Sequence, residues 1–230
     1  MNKIRILLFV FTAMVISCTN NEDRIAQKID PDAIYFDYKI FGEEEKGQMA
    51  VLLQFKAGDH NGKNLQLKEG SSVALDGEKL EANSAGFTGA YYEARYLIED
   101  FKGPHTITFT NGAKTYTEEF EFNPFALTDS LPQALSRDNL EIQLEGLDEE
   151  EEVLIVLTDT AFHTNDINRK DSIKNGLLKI TKAALQEIKN GPVTLEIYRL
   201  QSRPIEKGTK VGGRLSIEYG VRRIFELTGM

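Results

Sequence analysis

The sequence predicts an all-β protein built as two antiparallel β-sandwiches, with one short helix in the second. Three observations carry that prediction. After residue 33, apolar residues recur with period two over much of the chain, which sends alternate side chains to one buried sheet face. Turn-forming residues separate these runs at short intervals, as antiparallel strands joined by tight loops require. Finally, Asn123-Pro124-Phe125 interrupts the pattern and opens a stretch to Arg137 with two prolines and no periodicity. This break divides the chain into blocks 32–124 and 125–230.

In the first block, Ile34, Phe36, Tyr38 and Ile40 alternate with Tyr35, Asp37 and Lys39. Met49, Val51, Leu53 and Phe55 make a second strand, and Tyr92, Ala94, Tyr96 and Ile98 another. Asn111-Gly112 is a strong hairpin signal. A two-residue loop there pairs Thr110 with Ala113, so Ile107 faces Tyr116 and His105 faces Glu118. Ile107, Phe109, Tyr116, Phe120 and Phe122 then share one face, which is the agreement a real hairpin needs.

In the second block, Leu140, Ile142 and Leu144 alternate with acids and Gln143. The continuously apolar run 153–157 predicts a central strand covered on both faces. Further strands are expected at 193–197, at 215–219 and, last, near 221–227. One helix is predicted over 182–189. Thr181 caps it, Ala183, Ala184, Leu185 and Ile188 form its apolar side, and Asn190-Gly191-Pro192 stops it.

The layout "VALDGEKL … YYEARYLIEDFKGPHTITFTNGAKTYTEEFEF" resembles an immunoglobulin-like sandwich of extracellular bacterial proteins. "ITKAALQEIKNGPVTLEIYRL" resembles the helical-turn connection before a late strand of such domains. The resemblance implies two immunoglobulin-like sandwiches, here without a disulfide and without Trp.

The first thirty residues carry a different kind of signal. Lys3 and Arg5 precede an apolar run from Ile6 to Ile16, then small Ser17, then Cys18, the only cysteine in 230 residues. That run is too short for a membrane span, which needs about 20 apolar residues, and it fits the core of a secretory signal peptide. Val15-Ile16-Ser17-Cys18 resembles the lipobox of bacterial lipoproteins. By that resemblance, residues 1–17 are removed between Ser17 and Cys18, and Cys18 becomes the lipidated N-terminus. Two or more acyl chains hold a protein stably to a bilayer where one does not. Thr19 after the cysteine implies outer-membrane sorting, and Glu22-Asp23 resembles the short acidic export signal of surface lipoproteins in Bacteroidetes. The implied location is thus the outer membrane, on either its periplasmic or its cell-surface face. Residues 18–31 form the tether.

Composition excludes several function classes. The formal charge of −9 becomes −11 once Lys3 and Arg5 are removed, so nucleic acid, which needs clustered Lys and Arg, is not an expected partner. Lipidation of Cys18 leaves no thiol for a disulfide, nucleophile or metal. His60, His105 and His163 show no ligand or catalytic spacing. The loop at 166–171 has alternating oxygens but lacks the glycine and distal glutamate of a calcium loop. "LDEEEEV", with five acids from Asp148 to Glu152, reads as a solvated turn whose charges keep edges from pairing. No metal, cofactor or catalytic residue is predicted.

Tyr91, opposite in phase to Tyr92 and Tyr96, is the candidate surface platform for a ligand. The expected function is a lipid-anchored, non-catalytic surface or periplasmic binding or scaffold protein whose partner, a protein or a glycan, is unknown. Its alternative is a glycan-binding accessory of a polysaccharide-uptake system, with a hydrolase third.

Overall fold

The computed structural model describes residues 30–85, 89–112, 114–160, 166–189 and 191–229. The first block forms β1 (Ile34–Glu43), β2 (Gln48–Ala57), β3 (Ser71–Leu75), β4 (Glu78–Lys79), β5 (Ala82–Ala85), β6 (Gly89–Leu97), β7 (Gly103–Asn111) and β8 (Lys114–Phe122). The second forms β9 (Ala126–Leu127), β10 (Ala134–Ser136), β11 (Leu140–Glu145), β12 (Glu152–Asp159), β13 (Ile167–Ser172) and β14 (Leu177–Ile180). Helix α1 (Lys182–Gln186), β15 (Gly191–Pro204) and β16 (Gly213–Thr228) complete it. The chain is all-β with one short helix among the described residues, and Thr181 caps that helix by accepting from Ala184 N at 3.3 Å.

Among the described residues the strands form three sheets. A large one runs β13-β12-β15-β16-β1-β2-β6-β5, with β10 added beside the end of β16. Smaller sheets, β4-β3-β7-β8 and β14-β11-β9, belong to the first and second blocks. Along β16, Leu215, Ile217, Tyr219, Val221, Phe225 and Leu227 are buried, while Glu218, Ile224 and Glu226 are exposed. One face of the large sheet is therefore covered along this whole strand. The two sandwiches lie side by side on a shared sheet.

Residues beyond 125 are accordingly not confined to the second sandwich. The first eight residues of β16 pair in parallel with β1, from Phe36 with Gly213 to Glu43 with Gly220. Most other pairings are antiparallel; β10 with β16 is also parallel. A Cβ at Gly213 would fall 2.5 Å from the Phe36 carbonyl oxygen, so the close seam requires glycine there. The segments expected as two strands, 215–219 and 221–227, are one strand of 16 residues. Gly220 sits in its middle because the Tyr198 ring lies across it: a Cβ would come within 2.4 Å of that ring.

Two further expectations are corrected. The run 153–157 lies inside the sheet, between β13 and β15, but Val153, Ile155 and Leu157 are buried while Leu154 and Val156 stay half-exposed. A shared sheet covered on one face leaves the other face open. The β7–β8 hairpin also turns one residue late: Asn111 pairs with Lys114, so Ile107 faces Glu118 and His105 faces Phe120. That moves each partner by two residues and keeps every side chain on its face, so the apolar pattern cannot distinguish the two registers. The predicted His105–Glu118 pair does not form. Asp76-Gly77, both at positive φ, makes the tight β3–β4 turn in the geometry that favours Asp-Gly.

The two cores differ in chemistry. Phe36, Tyr38, Phe55, Phe109 and Tyr116 pack ring on ring in the first, with Phe55 and Phe109 4.7 Å apart. Leu, Ile and Val dominate the second, with Phe225 at its end. Each fully buried side chain of this size contributes about 1.5–3 kcal/mol.

Candidate functional site

Beside β16, between the β1–β2 and β6 ends of the large sheet and the linker with the second small sheet, lies a cleft of about 530 Å³. Five stretches of chain supply its walls. The 3₁₀ turn after β1 brings Glu44, and the end of β6 brings Leu97, Ile98 and Glu99. Pro124 and Phe125 come from the linker, Glu145 and Gly146 from the end of β11, and Tyr219 from the shared strand.

The floor is aromatic. Tyr219 is 2% exposed and is met edge-on by Phe122 and Phe125, each 5.5 Å away. Behind them, buried Arg199 donates to the carbonyls of Asn123 and Gly146 and stands 5.9 Å from the Phe125 ring. Burial pulls its guanidinium below the usual range, opposed by Glu151 and Asp148. Arg199 thus ties the linker to the second small sheet and fixes the back of the cleft.

Tyr219, like core Tyr38, makes no side-chain hydrogen bond among the described residues. Burial first, then the carboxylates of Glu44 and Glu99, push its phenol up to about 12. Both acids line the cleft beside Tyr219, and Arg199 and Arg223 oppose their effect.

The rim is acidic. Glu44 is held by Arg223 through both guanidinium nitrogens, and Glu99 pairs with Lys102 at 2.6 Å. Glu145 is exposed and has no ion pair or hydrogen bond among the described residues. Glu44 and Glu99 are thus each matched by a base, and Glu145 alone stands without one, beside apolar Leu97, Ile98 and Phe125. Such a cleft suits a largely apolar group with a few polar atoms.

None of the described residues singled out from the sequence as a candidate site lines it. Ser17, Cys18 and His163 lie outside the described residues. Tyr91 sits on β6 opposite Asn83, half-buried, and takes part in none of the ring contacts among the described residues. His60 is in an exposed loop near the Tyr35 ring, 6.5 Å away. His105 is buried in the first sandwich, stacked 3.9 Å from Phe101. Its Nε2 donates to the Phe101 carbonyl at 2.9 Å, and its Nδ1 lies 2.7 Å from Asp76 Oδ2. Asp76 also accepts from Thr106 N, so this His–carboxylate pair fastens a turn.

The acidic run is part of the framework too. Glu151 accepts from its own turn at Asp148 N and from Gln201, and Glu152 pairs with Lys170. Asp171 is held by Arg169 at 2.8 Å. Among the described residues, no three His, Cys, Asp or Glu side chains converge as metal ligands. The cleft escapes sequence reasoning because its residues come from separate segments with no motif. The one local trace is Asn123-Pro124-Phe125, which reads as a boundary.

No family model matches the sequence, and no curated protein matches it. Solved structures of similar shape include tandem immunoglobulin domains. The paired IG1 and IG2 domains of DIP-gamma match at 8% identity and a TM-score of 0.25, over 86% of this chain and 98% of theirs. A titin tandem pair matches at 8% and 0.24, over 84% and 94%. Extracellular domains 3–5 of Drosophila OTK match at 12% and 0.23, over 81% and 61%. Scores of that size leave the architecture resting on the sheets described above.

Proposed function

We propose that this chain is a lipid-anchored, non-catalytic binding protein of the outer membrane, held through Cys18, whose partner seats in the cleft between the sandwiches. The observation that carries the proposal is the cleft itself, which has an aromatic floor of Tyr219 and Phe125 and apolar walls at Leu97, Ile98 and Pro124. Sites that bind are concave, largely apolar and furnished with a few convergent polar groups. The most conspicuous acid–base pair, His105 with Asp76, supports a binding role because it is tied into the fold away from this cleft.

The tether fits the same picture. Asp32 is anchored by Lys114, Tyr116 and Lys210 where the chain enters β1. From there β1 runs its ten residues before Glu44, or about 30 Å at strand spacing. The cleft is thereby held a strand length from the tether's exit. A photo-crosslinking residue at rim position Leu97, in the lipidated protein within its own cells, should give a discrete adduct. The same residue at exposed Ile224, on the open sheet face, should not. Equal adducts at both positions, or none at Leu97, would overturn the cleft as the binding site. Unchanged fatty-acid labelling of Cys18→Ser would overturn the anchor.

A further inference from the structure

We propose that β1 is a shear-held anchor strand, which carries tension between the tether and a partner in the cleft without giving way. This rests on anchoring through Cys18 and on the cleft as the binding site, and adds how the fold bears a pull between them. β1 is the strand the tether enters, and it lies inside the shared sheet with partners on both sides. Ten residue pairs join it to antiparallel β2 and eight to parallel β16. The cleft lies at its far end, where Glu44 follows β1 and floor residue Tyr219 of β16 stands opposite Gly42. Tension between Asp32 and that floor therefore acts along the strands. It drags β1 and β16 in opposite directions, so the rungs between them are loaded together and none opens singly.

Both ends of β1 are fastened against that sliding. At the entry, Asp32 is gripped by Lys114 at 2.7 Å, by Tyr116 at 3.0 Å and by Lys210 at 3.5 Å. Beside it, the Ala33 carbonyl accepts from Gly58 N at 2.8 Å and the Ile34 carbonyl from the Thr209 hydroxyl at 2.6 Å. At the exit, Glu44 is held by Arg223 and Glu45 by Arg222, both on β16. The side chains oppose a slip as well. Phe36, Tyr38 and Ile40 are buried while Lys39 and Phe41 are exposed on the other face, so a shift of one residue would turn the aromatic core outward. A shift of two, about 7 Å at strand spacing, would carry Asp32 away from all three of its partners. Forced unfolding is governed by the unfolding barrier, and contacts that must break together raise it more than contacts that break in turn.

The experiment is single-molecule pulling of the mature chain, residues 18–230, produced without lipid so that Cys18, the only cysteine, serves as one handle. The second handle is an introduced cysteine at one of two places. Ile224→Cys, exposed on β16 beyond the seam, loads β1 lengthwise. Asn61→Cys, in the loop that meets Ala33 at the entry, pulls β1 and β2 apart from their open end, one rung after another. The Ile224 geometry should need a several-fold higher rupture force than the Asn61 geometry. Glu44→Gln with Glu45→Gln removes the clasp at the exit. It should lower the Ile224 force, where every contact shares the tension, and leave the Asn61 force unchanged, where the exit opens last. Equal forces in the two geometries, or an Ile224 force that the double variant does not lower, overturn the proposal. Both handles are covalent, so the outcome is independent of the Leu97 adduct. A high Ile224 force without that adduct keeps the seam and discards the cleft, and an adduct with equal forces does the reverse.

Discussion

Arg199 and Tyr219 are direct cross-strand partners on the β15–β16 hairpin, and both side chains are buried at the seam between the two sandwiches. One donates to the linker and to the second small sheet, and the other is clasped by Phe122 and Phe125. A single register pair thus sets the relation between the small sheets and the floor of the cleft.

Arg199→Ala should destabilise the protein by about 2–4 kcal/mol, because it opens a cavity and leaves two carbonyls without their donor. Arg199→Met should lose less. It refills the volume and relieves the burial of a guanidinium whose Nε has no partner. Chemical denaturation of the two variants checks the order, and a methionine variant weaker than the alanine one would contradict it.

The shared sheet makes independent folding of the halves untenable. A fragment of residues 30–124 would expose the β1 edge that β16 covers over eight residue pairs, and bare edges aggregate. Each fragment alone should show a non-cooperative thermal transition in circular dichroism. Mixing 30–124 with 125–230 should restore a cooperative one. Two cooperative, separately folded fragments would refute the coupling.

His105→Ala should lower stability by about 2–3 kcal/mol, well above the 0.2–1 kcal/mol of an exposed cross-strand pair. The ring is buried, stacked on Phe101, and bonded at both nitrogens. Glu118→Ala should be as severe or worse. That carboxylate is 3% exposed, pairs with Arg203 and accepts from Glu206 N at 3.0 Å, and removing one partner of a buried pair costs about 3–5 kcal/mol. Urea midpoints near wild type for either variant would contradict its assigned contacts.

Tyr219 gives the protein an alkaline limit. Its folded phenol titrates at about 12, whereas an unfolded tyrosine ionises near 10. The stability linked to it is complete below pH 10, falls as the unfolded chain ionises first, and is lost by pH 12. Tyr198, also at about 12, and Tyr38, held well above the usual phenol range by burial, add the same trend. The melting temperature should fall between pH 10 and 12, and Tyr219→Phe should flatten that fall in part. An identical slope in wild type and variant would remove Tyr219 from the account.

Many strands and the Thr181-capped helix were legible in the sequence, though the helix expected over 182–189 ends at Gln186 and the loop expected at 166–171 is strand β13. Period-two alternation and turn chemistry are local properties that neighbouring residues settle among themselves. The β7–β8 register was not legible, because two registers put the same residues on the same faces. Only the contacts of His105 with Phe101 and Asp76, and of Glu118 with Arg203, distinguish them. Nor was the β1–β16 seam, since a parallel pairing between the first and last strands leaves no mark on either one. The cleft belongs to this second class. Glu44, Glu99, Glu145 and Tyr219 are unremarkable in their own segments, and they become a site because a shared sheet lays two sandwiches side by side. Local pattern determines which residues are buried, but the meeting of distant segments is decided by which long-range packing lowers the free energy of the whole chain.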